Sequence, residues 1–416
     1  MEIQVKRLRD TLELLAPLTP RKSTLKSLSY VLLKDGQAVA TDLEVGVAVE
    51  LPEADGEGVL LPAKDALGFL KYTRGTAMAQ VTATRNKVTI AASGMETSFS
   101  DVPDVDDFPP LPRVKGESEG VLNGDALVRT LVALAPYAAI ETTRPVLNGV
   151  CLTTGDELEV VAADGFRLIW EGIPGKLSGP SMIIPHKGVD ILEHLWKRAA
   201  APDLTNVRDL ASLAVAPRLI RLGWGQYLLS LNFDAVTLII QLIQGSFPDY
   251  RRLIPTETQP LVTVMAEDMA RVLAQVAPVA KDVKGIVRLR WEGGGLQVSV
   301  KGEEKEASVP VPAQFTEPGK TALNINYLRE YFKGRSGVVS MSTATPQSPV
   351  LFTYRGKAHV LLMPMFVEWE PKSAVVAQAE QVAEEAQAEE AEEEEVAEQS
   401  ETEAEEEPKR GRKKRN

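Results

Sequence analysis

The sequence is poor in the residues that build most chemical sites. Among 416 residues there are one cysteine, Cys151, and three histidines. A disulfide framework is therefore excluded, and none of the histidines has a metal-ligand partner at close spacing. Because Cys151 lies in an apolar, strand-like run, we interpret it as a buried, inert thiol. A chain without disulfides is expected in the cytoplasm.

Long apolar runs are also missing. The longest, residues 228–243, is broken by Asn232, Asp234 and Gln241. It is shorter than the roughly 20 apolar residues that a membrane-spanning helix needs. The first seven residues, Met-Glu-Ile-Gln-Val-Lys-Arg, contain no apolar signal core. We therefore expect no contact with a membrane.

Catalytic motifs are absent as well. The sequence has no Gly-x-x-x-x-Gly-Lys phosphate loop and no Gly-x-Ser-x-Gly nucleophile turn. The three glycines at 293–295 are typical of a hairpin turn, and the pair Asp106 and Asp107 lies in a proline-rich surface loop. We expect no catalytic residue, no metal and no cofactor.

What the sequence does have is a repeated pattern. An apolar helical stripe followed by Ala-Pro occurs at Leu8–Pro17, Leu127–Pro136 and Met269–Pro278, and it predicts a helix that ends at each Ala-Pro. In each copy, short strands, a second helix and further strands follow. Repetition on this scale indicates three tandem copies of one α+β domain, with two helices on one face of an antiparallel sheet of roughly eight strands.

Proline-rich breaks set the predicted boundaries. The second helices are expected at 62–72, 185–198 and 325–333. The domains are expected to span residues 1–118, 119–256 and 257–370. From 371 to 416 the chain is rich in Ala, Glu and Gln and lacks aromatic residues, and it carries a net charge of −8. Such a segment cannot bury enough apolar surface to fold alone, so we predict a disordered acidic tail with a basic end.

Charge is distributed unevenly. The net charge of residues 1–370 is only −4, yet all six predicted helices carry basic residues on or beside them. For one helix a solvated face is the simpler interpretation, but six such helices favour sequence-independent contact with a polyanion. The residues are Lys6, Arg7, Arg9, Lys64, Lys71, Arg74, Arg129, Lys187, Lys197, Arg198, Arg271, Lys281, Lys284, Arg329, Lys333 and Arg335.

Six short motifs resemble one known family. They are Thr41–Val45, Asp107–Pro109, Arg144–Val150, Ala163–Leu168, Phe247–Arg252 and Met363–Met365. Through these motifs, residues 1–370 resemble the family of the bacterial DNA polymerase III β subunit, whose members are called sliding clamps. The resemblance implies a head-to-tail homodimer whose six domains form a ring around duplex DNA. It also implies a non-catalytic processivity factor for the polymerase III catalytic subunit. The clamp loader, other polymerases and repair proteins would bind through short peptide motifs.

The resemblance also implies site residues. A peptide groove between the second and third domains would use Arg144, Leu147, Ala163, Gly165, Phe166, Arg167, Leu168, Pro248, Arg252, Leu253, Ser348, Leu361, Leu362, Met363, Pro364 and Met365. Of these, Arg144, Arg167 and Arg252 would line the rim. Residues facing DNA would be Arg21, Lys22, Arg74, Lys187 and Lys197. The dimer interface would use Phe108 and Leu111 at one end and Pro278 and Val279 at the other.

Some features depart from the family or leave alternatives open. Phe166 stands where many members have His, and Ala163 stands where Thr is frequent. The strands of 201–242 cannot be aligned securely. The extra tail either competes with DNA or partners for the folded body, or only solubilises it. A DNA-associated enzyme with an unfamiliar site, and a clamp-like scaffold that no longer encircles DNA, are the alternative functions.

Overall fold

The computed structural model describes residues 1–114, 118–141, 143–199, 218–254, 262–281, 284–302, 304–355 and 357–369. Met1–Met365 form one compact unit, and Phe366–Asn416 form a second, of which only 366–369 are described. The predictions for the 371–416 tail lie outside the described residues. No helix in the described part of the chain has the length and apolar character needed to cross a bilayer.

One order of elements occurs three times: a strand, a helix, four strands, a second helix and three strands. The first repeat comprises β1 (Glu2–Gln4), α1 (Val5–Leu15), β2 (Val31–Lys34), β3 (Gln37–Thr41), β4 (Val45–Glu50), β5 (Val59–Leu61), α2 (Ala63–Leu70), β6 (Met78–Thr84), β7 (Lys87–Ala92) and β8 (Met95–Ser100). The second comprises β9 (Ser118–Asn123), α3 (Gly124–Leu134), β10 (Gly149–Leu152), β11 (Leu158–Ala163), β12 (Arg167–Ile173), β13 (Met182–Pro185), α4 (His186–Ala199), β14 (Leu219–Trp224), β15 (Leu228–Phe233) and β16 (Val236–Gln241).

The third repeat has one additional strand, β21, which pairs with β17. It comprises β17 (Val262–Met265), α5 (Ala266–Ala280), β18 (Ile286–Glu292), β19 (Gly295–Lys301), β20 (Glu306–Val311), β21 (Ala313–Phe315), β22 (Gly319–Asn324), α6 (Ile325–Phe332), β23 (Val338–Ser342), β24 (Val350–Tyr354) and β25 (Lys357–Leu362). Three tandem copies of an α+β unit are therefore confirmed.

The first helix of each repeat forms because its apolar stripe has a core to pack on. In α1, Leu8, Leu12 and Leu15 are fully buried at the spacing of one helix face. The predicted end at Ala-Pro is confirmed for α1 and α3, where a short 3₁₀ turn follows. It is wrong for α5, which continues through Pro278 to Ala280.

Helix α5 tolerates its proline because the residues beyond it are held in place. Pro278 removes one helical hydrogen bond, to the carbonyl four residues earlier. Val279 nevertheless packs on the core, and Ala280 is fully buried. The Lys281 N–H then closes the helix on the Ala277 carbonyl. Packing therefore outweighs the local stop signal here.

Two smaller expectations need revision. A strand was expected from Leu28, but residues Lys26–Ser29 form a 3₁₀ turn and the strand begins at Val31. The Ser27 hydroxyl donates to the Asp107 carbonyl at 2.8 Å, which fixes that turn. In the poorly aligned region, β15 and β16 form a hairpin around Asp234, a residue with φ of 48°.

Two sheets run from one repeat into the next. Strand β4 pairs antiparallel with β16, which builds an eight-stranded sheet of order β5-β2-β3-β4-β16-β15-β14-β9. Strand β12 pairs antiparallel with β25, which builds a nine-stranded sheet of order β13-β10-β11-β12-β25-β24-β23-β17-β21. We call these the first and second shared sheets.

The remaining strands form two four-stranded sheets, each within one repeat. Their orders are β1-β6-β7-β8 and β20-β19-β18-β22. Strand β8 in the first repeat and strand β20 in the third are therefore open edges among the described strands. The helices and the main core lie on one face of the sheets. The other, outer face of each shared sheet is crossed by the segment that closes a repeat, residues 105–114 or 247–254.

Candidate functional site

A sharp turn between β11 and β12 presents Phe166 to solvent. The Asp164 carboxylate accepts the N–H groups of Phe166 at 2.8 Å and of Arg167 at 2.9 Å. Gly165, with φ of 94°, takes the left-handed conformation that this turn requires. The Phe166 side chain is 61% exposed. The motifs that predicted a groove meet here, because the Phe166 carbonyl accepts the Met363 N–H at 2.8 Å.

An apolar cluster lies beneath this turn on the outer face of the second shared sheet. We call it the outer cluster; its members are Cys151, Val161, Leu168, Trp170, Ile183, Tyr250, Leu351 and Leu361. Ala163 packs against its edge. Leu168 and Leu361 lie opposite each other on β12 and β25 and provide a buried floor. Burial raises the pKa of the Cys151 thiol to about 12, so this cysteine stays protonated, as its expected inertness requires.

The connector 247–254 covers part of this cluster. The ring of Tyr250 is buried, and its hydroxyl and the Arg251 guanidinium both donate to the Glu159 carboxylate. Burial and this hydrogen bond raise the pKa of Tyr250, so the phenol remains a donor. Leu253, three residues further on, is exposed. The connector thus fills the centre of the outer face and leaves apolar side chains exposed around it.

Four further predicted groove residues lie on the outer side with exposed atoms. Met363 is 37% exposed. Arg144 lies beside Gly165, since a Cβ atom at position 165 would be only 2.6 Å from its Nη1. Arg252 is mostly exposed, and its Nε donates to Asp249 at 2.7 Å. Pro248 is exposed in the same connector.

The other predicted groove residues are buried or lie in neighbouring segments. Leu362 follows Leu361 on a strand and therefore faces the main core on the helix side. Ser348 lies in the loop between β23 and β24, where its N–H bonds to the Thr345 carbonyl. Met365 donates its N–H to Ala322 at 2.7 Å and leads the chain away towards β22, after the half-buried Pro364. Leu147 is buried at the end of a 3₁₀ turn.

The prediction that Arg167 lines the groove rim is wrong. Its side chain is only 9% exposed and lies on the helix side of β12. It donates to Asp164 at 2.9 Å, to Glu330 of α6 at 2.6 Å and to the Pro136 carbonyl at 2.6 Å. The rings of Tyr137 and Tyr327 lie 4.7 and 4.6 Å from its guanidinium carbon.

Burial lowers the pKa of the Arg167 guanidinium, but the bonds to Glu330 and Asp164 outweigh that effect and leave it raised. Tyr137, Tyr327 and Glu330 were not among the residues predicted for this site. The alternation of side chains along a strand was an available signal, because Phe166 and Arg167 cannot both face outward.

The residues predicted to face DNA fall into two groups. Arg21 and Lys22, in the loop after α1, and Arg74, after α2, are exposed and take part in no ion pair seen in the described chain. Lys187 instead bridges Asp42 and Glu44, both at 2.7 Å, and Lys197 pairs with Glu193 at 2.5 Å. Their charges are therefore already balanced by neighbouring carboxylates.

The residues predicted at the dimer interface differ in their surroundings. Phe108 is only 6% exposed and lies on the outer face of the chain's own first shared sheet. Leu111 packs over Gly46 of β4, where a Cβ atom would lie 2.5 Å from its Cδ2. Both serve the same chain because the segment 105–114 crosses that sheet. Pro278 is exposed and Val279 half-buried on α5, which packs against the open-edge strand β20.

No group of three or more His, Cys, Asp or Glu side chains is placed to hold a metal ion in the described ranges. A cleft of about 800 Å³ lies between segment 105–114 and the first shared sheet. Its lining includes polar groups such as Lys34, Asp35 and Asn232. The second shared sheet, with its outer cluster, offers the apolar surface instead.

Comparison with known proteins points to one family. Residues 122–249 match the family model described as DNA polymerase III beta subunit, central domain. The beta sliding clamp of Pseudomonas putida KT2440 is 26% identical over 340 residues, covering 78% of this chain and 88% of that protein. The beta sliding clamp of Caulobacter vibrioides NA1000 is 25% identical over 349 residues, covering 80% and 89%.

Solved structures share the fold. The sliding clamp of Pseudomonas aeruginosa superposes with a TM-score of 0.75 at 22% identity, covering 88% of this chain and 99% of that one. The beta subunit of Thermotoga maritima gives a TM-score of 0.73 at 18% identity with the same coverage. The family model of the central repeat, the curated relatives and the solved structures all identify the chain with the bacterial DNA polymerase III β subunit, the β sliding clamps.

Proposed function

We propose that the chain is a DNA sliding clamp. It encircles duplex DNA in the cytoplasm and tethers the replicative polymerase and other partners for processive synthesis, without catalysis of its own. The observation that carries this proposal is the pair of open strand edges, β8 and β20. The strands at the corresponding positions of the other repeats each pair with a strand of the neighbouring repeat. Among the described strands, β8 and β20 are the two at these positions that remain unpaired.

The repeat pattern indicates what would cover these edges. Strands β4, β12 and β20 hold the same place in their repeats, as do β16, β25 and β8. Because β4 pairs with β16 and β12 with β25, β20 of one chain would pair with β8 of a second chain. Two such joints close a head-to-tail ring of six domains, drawn from residues 1–118, 119–256 and 257–370 of each chain. Closure also covers both edges.

Helix packing supports the same joint. Helix α1 meets α4 of the next repeat, where Arg198 pairs with Glu13 at 2.6 Å. Helix α6 is bound to the end of α3 through Arg167. By the same rule, α5 would meet α2 of a second chain. Tyr72, just after α2, is 80% exposed and would pack near Pro278 and Val279 of the partner.

The helix faces suit loose contact with DNA. Arg21, Lys22 and Arg74 are exposed cations free to meet phosphates without reading sequence. Lys187 and Lys197 would contribute only after exchanging a carboxylate partner for a phosphate. A ring held by topology needs no tight phosphate contact, so weak, screened contacts permit sliding.

The outer cluster and its surroundings suit a short peptide with apolar anchors. Phe166, Met363 and Leu253 are exposed around the buried floor of Leu168 and Leu361. Flexible Met and Leu side chains adapt to several peptides. The polymerase III catalytic subunit, the clamp loader, other polymerases and repair proteins would share this groove, made more apolar by Phe166.

The test of the ring is mass in solution and retention on DNA. We expect about twice the chain mass of 45.2 kDa, and complexes that remain on circular DNA but leave linear DNA. Met95→Glu on β8, at a methionine that is 47% exposed, places a charge in the proposed joint and is expected to give monomers that no longer stay on circles. Thr84→Glu, on an exposed position of β6, is the control and is expected to remain dimeric.

A wild-type chain that is a stable monomer at micromolar concentration would contradict the ring. So would a dimer that dissociates equally fast from linear and circular DNA.

A further inference from the structure

One side chain connects the outer groove to the helices behind it. Phe166 and Arg167 are neighbours at the start of β12 and point to opposite faces. Phe166 stands in solvent on the outer side, and its carbonyl holds Met363. Arg167 is buried on the helix side between Tyr137 of the second repeat and Tyr327 of the third.

We propose that Arg167 is a positioning residue for partner binding: it fixes the Phe166 turn from behind, through α3 and α6, and makes no contact with the bound peptide. We call the set Arg167, Asp164, Glu330, Tyr137 and Tyr327 the Arg167 latch. This inference rests on the proposed groove, because it assigns the latch a role in preparing that groove.

The geometry of the latch leaves Arg167 little freedom. Nε, Nη1 and Nη2 each donate to a different partner, at 2.9, 2.6 and 2.6 Å. The two tyrosine rings hold the guanidinium at distances typical of cation–π contact. A lysine has neither the planar fork nor the stacking surface, so Arg167→Lys keeps the charge and loses the geometry.

The latch is connected directly to the groove residues. Asp164, which binds the Arg167 side chain, also accepts the backbone N–H groups of Phe166 and Arg167. Loss of the latch therefore loosens the turn that presents Phe166 and, through its carbonyl, Met363. If the peptide needs both Phe166 and Met363 in place, a smaller fraction of the protein molecules is then in the conformation that binds it. When the competent fraction falls, the apparent dissociation constant rises by the same factor.

This mechanism has a kinetic signature. Removing a side chain that touches the peptide speeds dissociation, which is where most interface mutations act. Loss of preorganisation instead slows apparent association, because only the ordered fraction can bind, and leaves dissociation unchanged. Glu330 is the informative partner, since it lies on α6, on the opposite side of the sheet from Phe166.

The experiment is a double-mutant cycle on the full chain. The probe is a fluorescent peptide with a Gln and Leu/Phe anchors, followed by stopped flow. We expect Arg167→Lys and Glu330→Gln each to slow association by about threefold to tenfold, with the double variant no slower than Arg167→Lys alone, since members of one network are not additive. Dissociation is expected to stay at the wild-type rate. Arg221→Lys, at an exposed arginine of β14 in the first shared sheet, is the matched control and should change association little.

Two outcomes separate the inference from the groove itself. If Met363→Ala leaves peptide affinity unchanged, the groove proposal fails. If Met363→Ala weakens binding but Glu330→Gln binds at the wild-type rate while Arg167→Lys dissociates faster, Arg167 contacts the peptide and the latch is overturned. Glu330 is partly exposed, so Glu330→Gln is expected to fold even if Arg167→Lys does not, and it decides the question alone.

Discussion

The two shared sheets have the same construction but opposite outer faces. In the first, Gly46 of β4 lies opposite Ile239 of β16; in the second, Leu168 of β12 lies opposite Leu361 of β25. The glycine leaves room that the chain's own Leu111 occupies. The leucine fills that room and becomes the floor of an apolar surface. One face is thus covered by its own connector, while the other keeps exposed apolar side chains.

The turns that lead into β4 and β12 sharpen this contrast. Asp42 accepts the N–H groups of Glu44 and Val45, as Asp164 accepts those of Phe166 and Arg167. The residue projected outward is Glu44 in one turn, where it pairs with Lys187, and Phe166 in the other. The same backbone turn therefore places an ion pair between repeats at one position and an exposed aromatic side chain at the other. The difference lies in side chains and not in fold.

The largest expected effect concerns how well the outer cluster shields Cys151 from solvent. With the pKa of Cys151 raised from 9.0 to about 12, the thiolate fraction at pH 8 falls by roughly a thousandfold. Alkylation of the native chain by iodoacetamide should be slower than that of the urea-unfolded chain by at least this factor. Rapid native labelling would mean that this outer face is open beneath Tyr250, against the packing described above.

The second effect tests whether the two turns differ in function. Replacing Phe166 and Met363 together by Ala removes two exposed apolar anchors. Peptide affinity should fall by about a hundredfold, or roughly 3 kcal/mol, as for loss of central anchors at an interface. Fluorescence titration measures it. The matched control is Glu44→Ala, at the same turn position of the first shared sheet, which should bind the peptide normally; equal losses in both would remove the distinction.

The third effect tests whether segment 105–114 fills the first outer face. Leu111→Ala leaves a gap over Gly46 and should cost about 2 kcal/mol in the free energy of unfolding. Urea denaturation measures this change, and peptide affinity should stay at the wild-type value. Leu43→Ala, an exposed leucine of the neighbouring turn, is the control and should change stability little. Weaker peptide binding by Leu111→Ala would show that the first face takes part in recognition.

The smallest effect concerns the connector of the second face. Glu159→Gln weakens the acceptor shared by Tyr250 and Arg251, which should cost about 1 kcal/mol and lower peptide affinity by roughly fivefold. Glu157→Gln, on the exposed turn beside it, is the control in both titration and urea denaturation. An unaffected Glu159→Gln variant would mean that the buried ring of Tyr250 alone fixes the connector.

Much of the fold could be predicted because its signals are local and repeated. The apolar stripes of α1 and α3, the Ala-Pro stops and the hairpin turns each depend on nearby residues. The meeting of Phe166 with Met363 was also expected, but only from the family resemblance. Long-range packing explains the failures: Pro278 stays inside α5 because the residues after it are held by the core, and Phe108 is covered by a sheet from its own chain.

The sites of charged residues were harder to predict for the same reason. Arg167 was expected at the groove rim and Lys187 was expected to face DNA, so both were treated as exposed cations. Their carboxylate partners, Glu330 for the first and Asp42 and Glu44 for the second, come from other repeats. Only the register of the shared sheets determines that these pairs meet.

The backbone ladders between repeats have a mechanical consequence. Each repeat is fastened to the next by peptide hydrogen bonds as well as by side chains, so shear between repeats must break several bonds at once. The amide protons of β4 and β12 should therefore exchange with deuterium slowly in any state of assembly. Those along the outer edges of β8 and β20 should be protected only where a second chain lies against them. Because only the joints within one chain are also linked by the polypeptide itself, an assembled ring would open first at the joints between chains.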